Sequence, residues 1–249
     1  MAKAQKIKQA LSDTRKRYIA RLVIRCLILI ASVFVLVFFP SQFDVLNGAS
    51  FFTSFSVFHI LWIIWVGDMI CQLIPIKKKI PLGSQKLFST HFKPIREKIN
   101  HETLRAYIIS TTRSAYKVFI IWVLMLVVLG VLYYTNVISP VFLMMVSITF
   151  YVCDLICVLV WCPFRLIMKN KCCTTCRIFN WDHLMMLTPM IFINGFYSVS
   201  LVALAFAVWI VWEVYVMMFP ERFWEGSNVA LQCSSCTDKL CTQYCKKLR

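Results

Sequence analysis

Twenty-seven lysines and arginines are spread along this chain, yet none falls between Cys26 and Ile76, between Val118 and Phe164, or between Ile178 and Glu221. These gaps run 51, 47 and 44 residues. A helix needs about 20 residues to cross a hydrocarbon core, so each gap holds two crossings and a turn but is too long for one. With 60% hydrophobic and only 15% charged residues in 249, the composition belongs to an integral membrane protein rather than a soluble domain.

The basic residues form four blocks: eight from Lys3 to Arg25, ten from Lys77 to Lys117, four from Arg165 to Arg177 and five from Arg222 to Arg249. Each gap also contains a breaker: "PSQFDVLNGAS" from Pro40, "TNVISP" from Thr135, and Asn194–Gly195. Positive charge favours the cytoplasmic side, which places all four blocks inside and all three turns outside. The expected fold is therefore an all-α polytopic membrane protein of six transmembrane helices in three hairpins, with cytoplasmic N- and C-termini and amphipathic interfacial helices.

The segments follow as a basic amphipathic N-terminal stretch 1–20, hairpin one 21–76, a basic connector 77–117, hairpin two 118–164, a Cys-rich loop 165–179, hairpin three 180–220 and a Cys-rich tail 221–249. A single helix over 184–219 would place the tail outside and run through Pro189, Asn194 and Gly195, so two helices are expected. The apolar run "CLILIASVFVLVFF" has no convincing cleavage site behind it and reads as an anchor.

Two basic stretches have an apolar stripe, Ile7, Leu11 and Tyr18 in the first and Ile95, Ile99, Leu104 and Ile108 in the second. Both fit helices lying on the inner surface against anionic lipid head groups. Neither contains a nucleic-acid reading motif, so nucleic acid is not an expected partner. So much apolar surface on a small bundle is compatible with homo-oligomerisation.

Hairpins one and two share a pattern, "WVGDMIC" from Trp65 and "YVCDLIC" from Tyr151, while hairpin three offers only "WEVYV" with Glu213 in the acidic place. Counting back from the next basic residue puts Asp68, Asp154 and Glu213 at a common level, roughly 13 to 17 Å from the inner boundary at 1.5 Å per residue. Carboxylates at that depth are costly, so they face the bundle interior or a wet cavity, either on a proton or cation pathway or as hydrogen-bonding struts between helices. Cys71 and Cys157 follow their acids by three residues and share a helix face with them.

Seven cysteines fall in segments assigned to the cytoplasm: Cys172, Cys173, Cys176, Cys233, Cys236, Cys241 and Cys245. In a reducing compartment, closely spaced thiols bind metal more readily than they form lasting disulfides. Cys173-x-x-Cys176 and Cys233-x-x-Cys236 supply a tetrahedral four-thiolate set suited to zinc or iron, and the remaining thiols leave room for an iron-sulfur cluster. Acylation of Cys162, Cys172 and Cys173 is the competing use. The four histidines are too scattered to favour a haem.

Asp182–His183 is a candidate acid-base pair, although an N-cap by Asn180 or Asp182 fits the local sequence better. No Walker loop, GxSxG, HExxH or dinucleotide motif occurs. Three function classes remain. The thiols favour electron transfer through a cysteine-ligated centre with a soluble redox partner; the acids favour a proton, cation or soft-metal transporter with a structural zinc site; the basic inner surface suits a scaffold for lipid or protein partners.

Overall fold

A computed structural model of the protein describes residues 12–74, 86–96, 99–169, 175–236 and 240. All regular structure among them is helical, with two isolated β-bridges. The helices are α1 (Asp13–Phe38), α2 (Ser50–Thr53), α3 (Phe58–Leu73), α4 (His101–Tyr134), α5 (Pro140–Leu159), α6 (Phe164–Met168), α7 (Asp182–Leu187) and α8 (Phe196–Met218). Of these, α1, α4, α5 and α8 are long and apolar enough to cross a membrane, and α3 is a shorter apolar helix.

Local chemistry explains where the long helices begin. The Ser12 hydroxyl accepts the Arg15 N–H at 3.2 Å, Asn100 accepts those of Glu102 and Thr103, and Ser139 accepts that of Phe142 ahead of Pro140 in the first turn. Asn100 changes the reading of the second amphipathic stretch. The connector helix starts at His101 and continues without a break through Tyr134, so Leu104 and Ile108 ride on the foot of a helix about 51 Å long. Ile95 lies outside it: its N–H donates to the Ser227 carbonyl, and Pro94 forms an antiparallel bridge with Asn228. In the first stretch, Ile7 and Leu11 lie outside the described residues, while Tyr18 is buried against Leu155, Leu159 and Leu240 rather than lying on a lipid surface.

The three turns gather at one end of the bundle. Gly48 donates to the Asn194 carbonyl and accepts from Phe196, and Phe192 packs against Tyr133 and Tyr134 beside the second turn. Residues of the basic blocks gather at the other end, where Arg222 donates to the Leu87 carbonyl at 2.8 Å and buried Lys86 reaches the Cys176 carbonyl.

Between α5 and α8 the chain runs from one end to the other as α7 followed by a 3-10 helix, Thr188–Phe192. Pro189 ends α7, because it offers no N–H to the Met185 carbonyl. The Thr188 hydroxyl turns back to that carbonyl instead, at 3.4 Å, and receives the Trp122 indole N–H from α4 at 3.0 Å. Met186, Leu187, Thr188, Pro189 and Met190 are all buried. These side chains pack the irregular segment into the protein interior. Residues 184–219 therefore form two helical segments, broken where Pro189, Asn194 and Gly195 stand.

Gly195 is extended, at φ −152° and ψ 152°, so its backbone is unstrained. Proximity is what requires glycine, since a Cβ there would collide with the backbone carbonyl of Leu46. Gly195→Ala should part the two turns and cost about 1–3 kcal/mol, as overpacking does. A denaturation midpoint equal to that of the wild type would contradict this.

Candidate functional site: a buried charge cluster

Arg25 stands twelve residues into α1, and its side chain is only 10% exposed. Its Nη1 donates to Asp154 Oδ2 and to the Tyr151 carbonyl, each at 2.7 Å, while Nη2 lies 4.0 Å from Asp68 Oδ2. The guanidinium also sits 3.8 Å over the Tyr151 ring, and the Tyr151 hydroxyl donates to Asp68 at 3.1 Å. One cation thus joins carboxylates from α3 and α5. The repeated sequence pattern is the reason they meet: its aromatic positions, Trp65 and Tyr151, pack edge to face at 5.9 Å, which brings the acids three residues on to either side of Arg25.

Next to this group lies a second one. Gln72, one helical turn beyond Asp68, donates to both carboxylate oxygens of Asp182 at 3.2 and 3.0 Å, and its amide nitrogen lies 2.9 Å from His183 Nδ1. The same Nδ1 is 3.2 Å from Asp182 Oδ1. The Nε2 of His183 is buried and has no hydrogen-bond partner among the described residues. Asp154 lies close enough to feel the charges of both Asp182 and His183, which joins the two groups. Asp182 is no N-cap: Trp181 occupies that position without a side-chain hydrogen bond, which frees the carboxylate for long-range partners.

Glu213 is elsewhere. It accepts from Arg177 Nη2 at 2.6 Å and from the Trp181 indole at 2.8 Å. Burial lowers the pKa of Arg177 from the ordinary arginine value, and Glu213 opposes that pull. The three acids do keep a common level, each five residues before its helix ends at Leu73, Leu159 or Met218. That places each about 7.5 Å along the axis from the end of its helix. They serve two separate arrangements, one with Arg25 and one with Arg177.

Of the candidate thiol ligands, Cys172, Cys173, Cys241 and Cys245 lie outside the described residues. Cys176 precedes the 3-10 turn Arg177–Asn180, and Cys233 begins another short 3-10 turn, with Cys236 just beyond it. Loop and tail do reach one end of the bundle, where Phe179 and Leu240 pack in a single apolar cluster. Among the described residues no three His, Cys, Asp or Glu side chains are grouped to hold a metal ion. A different thiol pair is in contact: the Cys157 thiol donates to Cys162, past the end of α5.

Sequence reasoning missed Arg25, Gln72, Tyr151 and His183 as partners of the acids. The signal for Arg25 was present in part, since it is the last basic residue before the first gap and lies only one position outside the apolar run. No family model, curated protein or solved structure matches the chain.

Proposed function

We propose that the protein crosses the membrane six times, with both termini cytoplasmic and α7 with its 3-10 continuation forming the fifth crossing, and that it binds and moves protons or small cations at the Arg25–Asp68–Asp154–Asp182–His183 cluster. One observation carries this reading: three carboxylates stand beside one guanidinium and one imidazole, Asp68 and Asp154 on Arg25 and Asp182 on Gln72 and His183. Two negative charges are left over with His183 neutral, and one with it protonated. Uncompensated charge inside a bundle is costly, so the cluster takes up protons or another cation to complete itself.

The Asp68 side chain, at 39% exposed, is the cluster's most open carboxylate and its entry point, whereas Arg25 and His183, at 10% and 6%, lie within. His183 can carry a proton on either ring nitrogen, and its unpartnered Nε2 is the position at which a transferred proton would arrive or leave. Liposomes containing the purified protein and a trapped pH dye should dissipate an imposed proton gradient, or take up a labelled monovalent cation. Asp154→Asn should abolish that protein-dependent rate, and a wild-type rate in this variant would remove the reading.

The cysteine-ligated centre is a separate proposal, favoured by the presence of Phe179 from the loop and Leu240 from the tail in one apolar cluster. Cys173, Cys176, Cys233 and Cys236 would hold zinc or iron there. Anaerobically purified protein should then contain stoichiometric metal that Cys173→Ser or Cys236→Ser removes. Metal-free wild-type protein would end the proposal, and with it membrane electron transfer through such a centre.

A further inference from the structure

Between α4 and α5, whose Trp122 and Phe150 rings meet at 5.1 Å, lies a cavity of about 310 Å3 over one face of α7. Its walls are apolar almost throughout, formed by side chains such as Phe150, Val158, Phe164, Met185 and Met186. Among the described residues, Asp154 and Asp182 are the only charged ones that line it. The cavity and the charge cluster therefore share a wall. Its volume is at the lower end of the roughly 300–1,000 Å3 typical of small-molecule sites.

A proton or a hydrated metal ion has no use for apolar walls of this extent. An uncharged lipid would fill the space but leave the surplus negative charge uncompensated, with two carboxylates desolvated against its chain. An anionic head group would meet Asp154 and Asp182 directly. It would draw little help from Arg25, whose Nη1 is already engaged by Asp154 and the Tyr151 carbonyl and whose face is covered by the Tyr151 ring. An ammonium on an alkyl chain satisfies both halves of the site, the chain occupying the apolar space and the head lying between the carboxylates.

We propose that this cavity binds a lipophilic ammonium ion, with its alkyl chain against Phe150, Phe164 and Met186 and its head group at Asp154 and Asp182. This rests on reading the cluster as a cation site and adds to the protons or small cations handled there an amphiphilic cation that arrives from the lipid.

The test uses the full-length protein in lipid nanodiscs, with binding of radiolabelled dodecylammonium and dodecanol corrected for uptake by protein-free discs. The ammonium ion should bind saturably and at least roughly tenfold tighter than the alcohol, and Asp182→Asn should remove most of that difference, as loss of a charge-assisted hydrogen bond does. Cys153→Phe should weaken binding of both probes, because Cys153 lines the cavity while being itself exposed, and its thermal transition reports that the protein remains folded. Equal binding of the two probes, or full ammonium binding in a folded Cys153→Phe protein, would overturn the proposal. Gradient dissipation by the wild type without ammonium binding sinks this inference alone, whereas ammonium binding without any dissipation sinks the transport reading and leaves the binding site standing.

Discussion

Arg25→Met should destabilise the protein by about 3–5 kcal/mol, and adding Asp154→Leu should restore most of the loss. The expectation comes from what each single change leaves behind. Without Arg25, the Asp68 and Asp154 carboxylates face each other across an apolar side chain; without Asp154, a guanidinium 10% exposed retains, among the described residues, the Tyr151 carbonyl at 2.7 Å, the Tyr151 ring and Asp68 at 4.0 Å. Each single variant strands a buried charge. The double variant replaces a buried ion pair with apolar contact, a change that is often neutral or stabilising. Reversible denaturant unfolding in micelles would give the cycle, and strict additivity of the two losses would show that Arg25 and Asp154 are not coupled.

Glu213→Leu should be nearly as damaging, at about 3–5 kcal/mol, for the same physical reason at a different place. The Arg177 side chain is 8% exposed; its Nη2 reaches Glu213 at 2.6 Å, while its Nε and Nη1 have no partner among the described residues. Removing Glu213 leaves a buried cation with no anion and frees the Trp181 indole as well. Transport per folded molecule should nonetheless persist. The three acids that share a level in the sequence would thereby separate into two that handle charge and one that fastens the 3-10 turn Arg177–Asn180 to α8.

What could be read from the sequence follows the range of the interaction involved. Gaps free of Lys and Arg reflect the cost of charge in hydrocarbon, a property of each segment alone, and four long apolar helices lie in or across them. The break near Pro189 was legible because a missing N–H is likewise local. The pairing of Asp68 with Asp154 was half legible, through the pattern shared by Trp65 and Tyr151. Arg25 was obscured by its neighbours, since a basic residue at the edge of a basic block reads as solvated, and only α5 at its side reveals it as buried. Asp182 was misread for a similar reason: an acid beside a helix start looks like a cap until Gln72, 110 residues away, approaches it at 3.0 Å. Glu213 shared depth with the other acids, but depth along a helix does not say which way a side chain points around it.

The most direct measurement compares Asp154→Asn with Glu213→Gln in liposomes loaded to equal folded protein, following the dissipation of a proton gradient or the uptake of a labelled cation. The expected result is no protein-dependent flux with Asp154→Asn and a near wild-type rate with Glu213→Gln. Flux retained by Asp154→Asn would show that the Arg25 cluster is a structural strut and not the path of a charge.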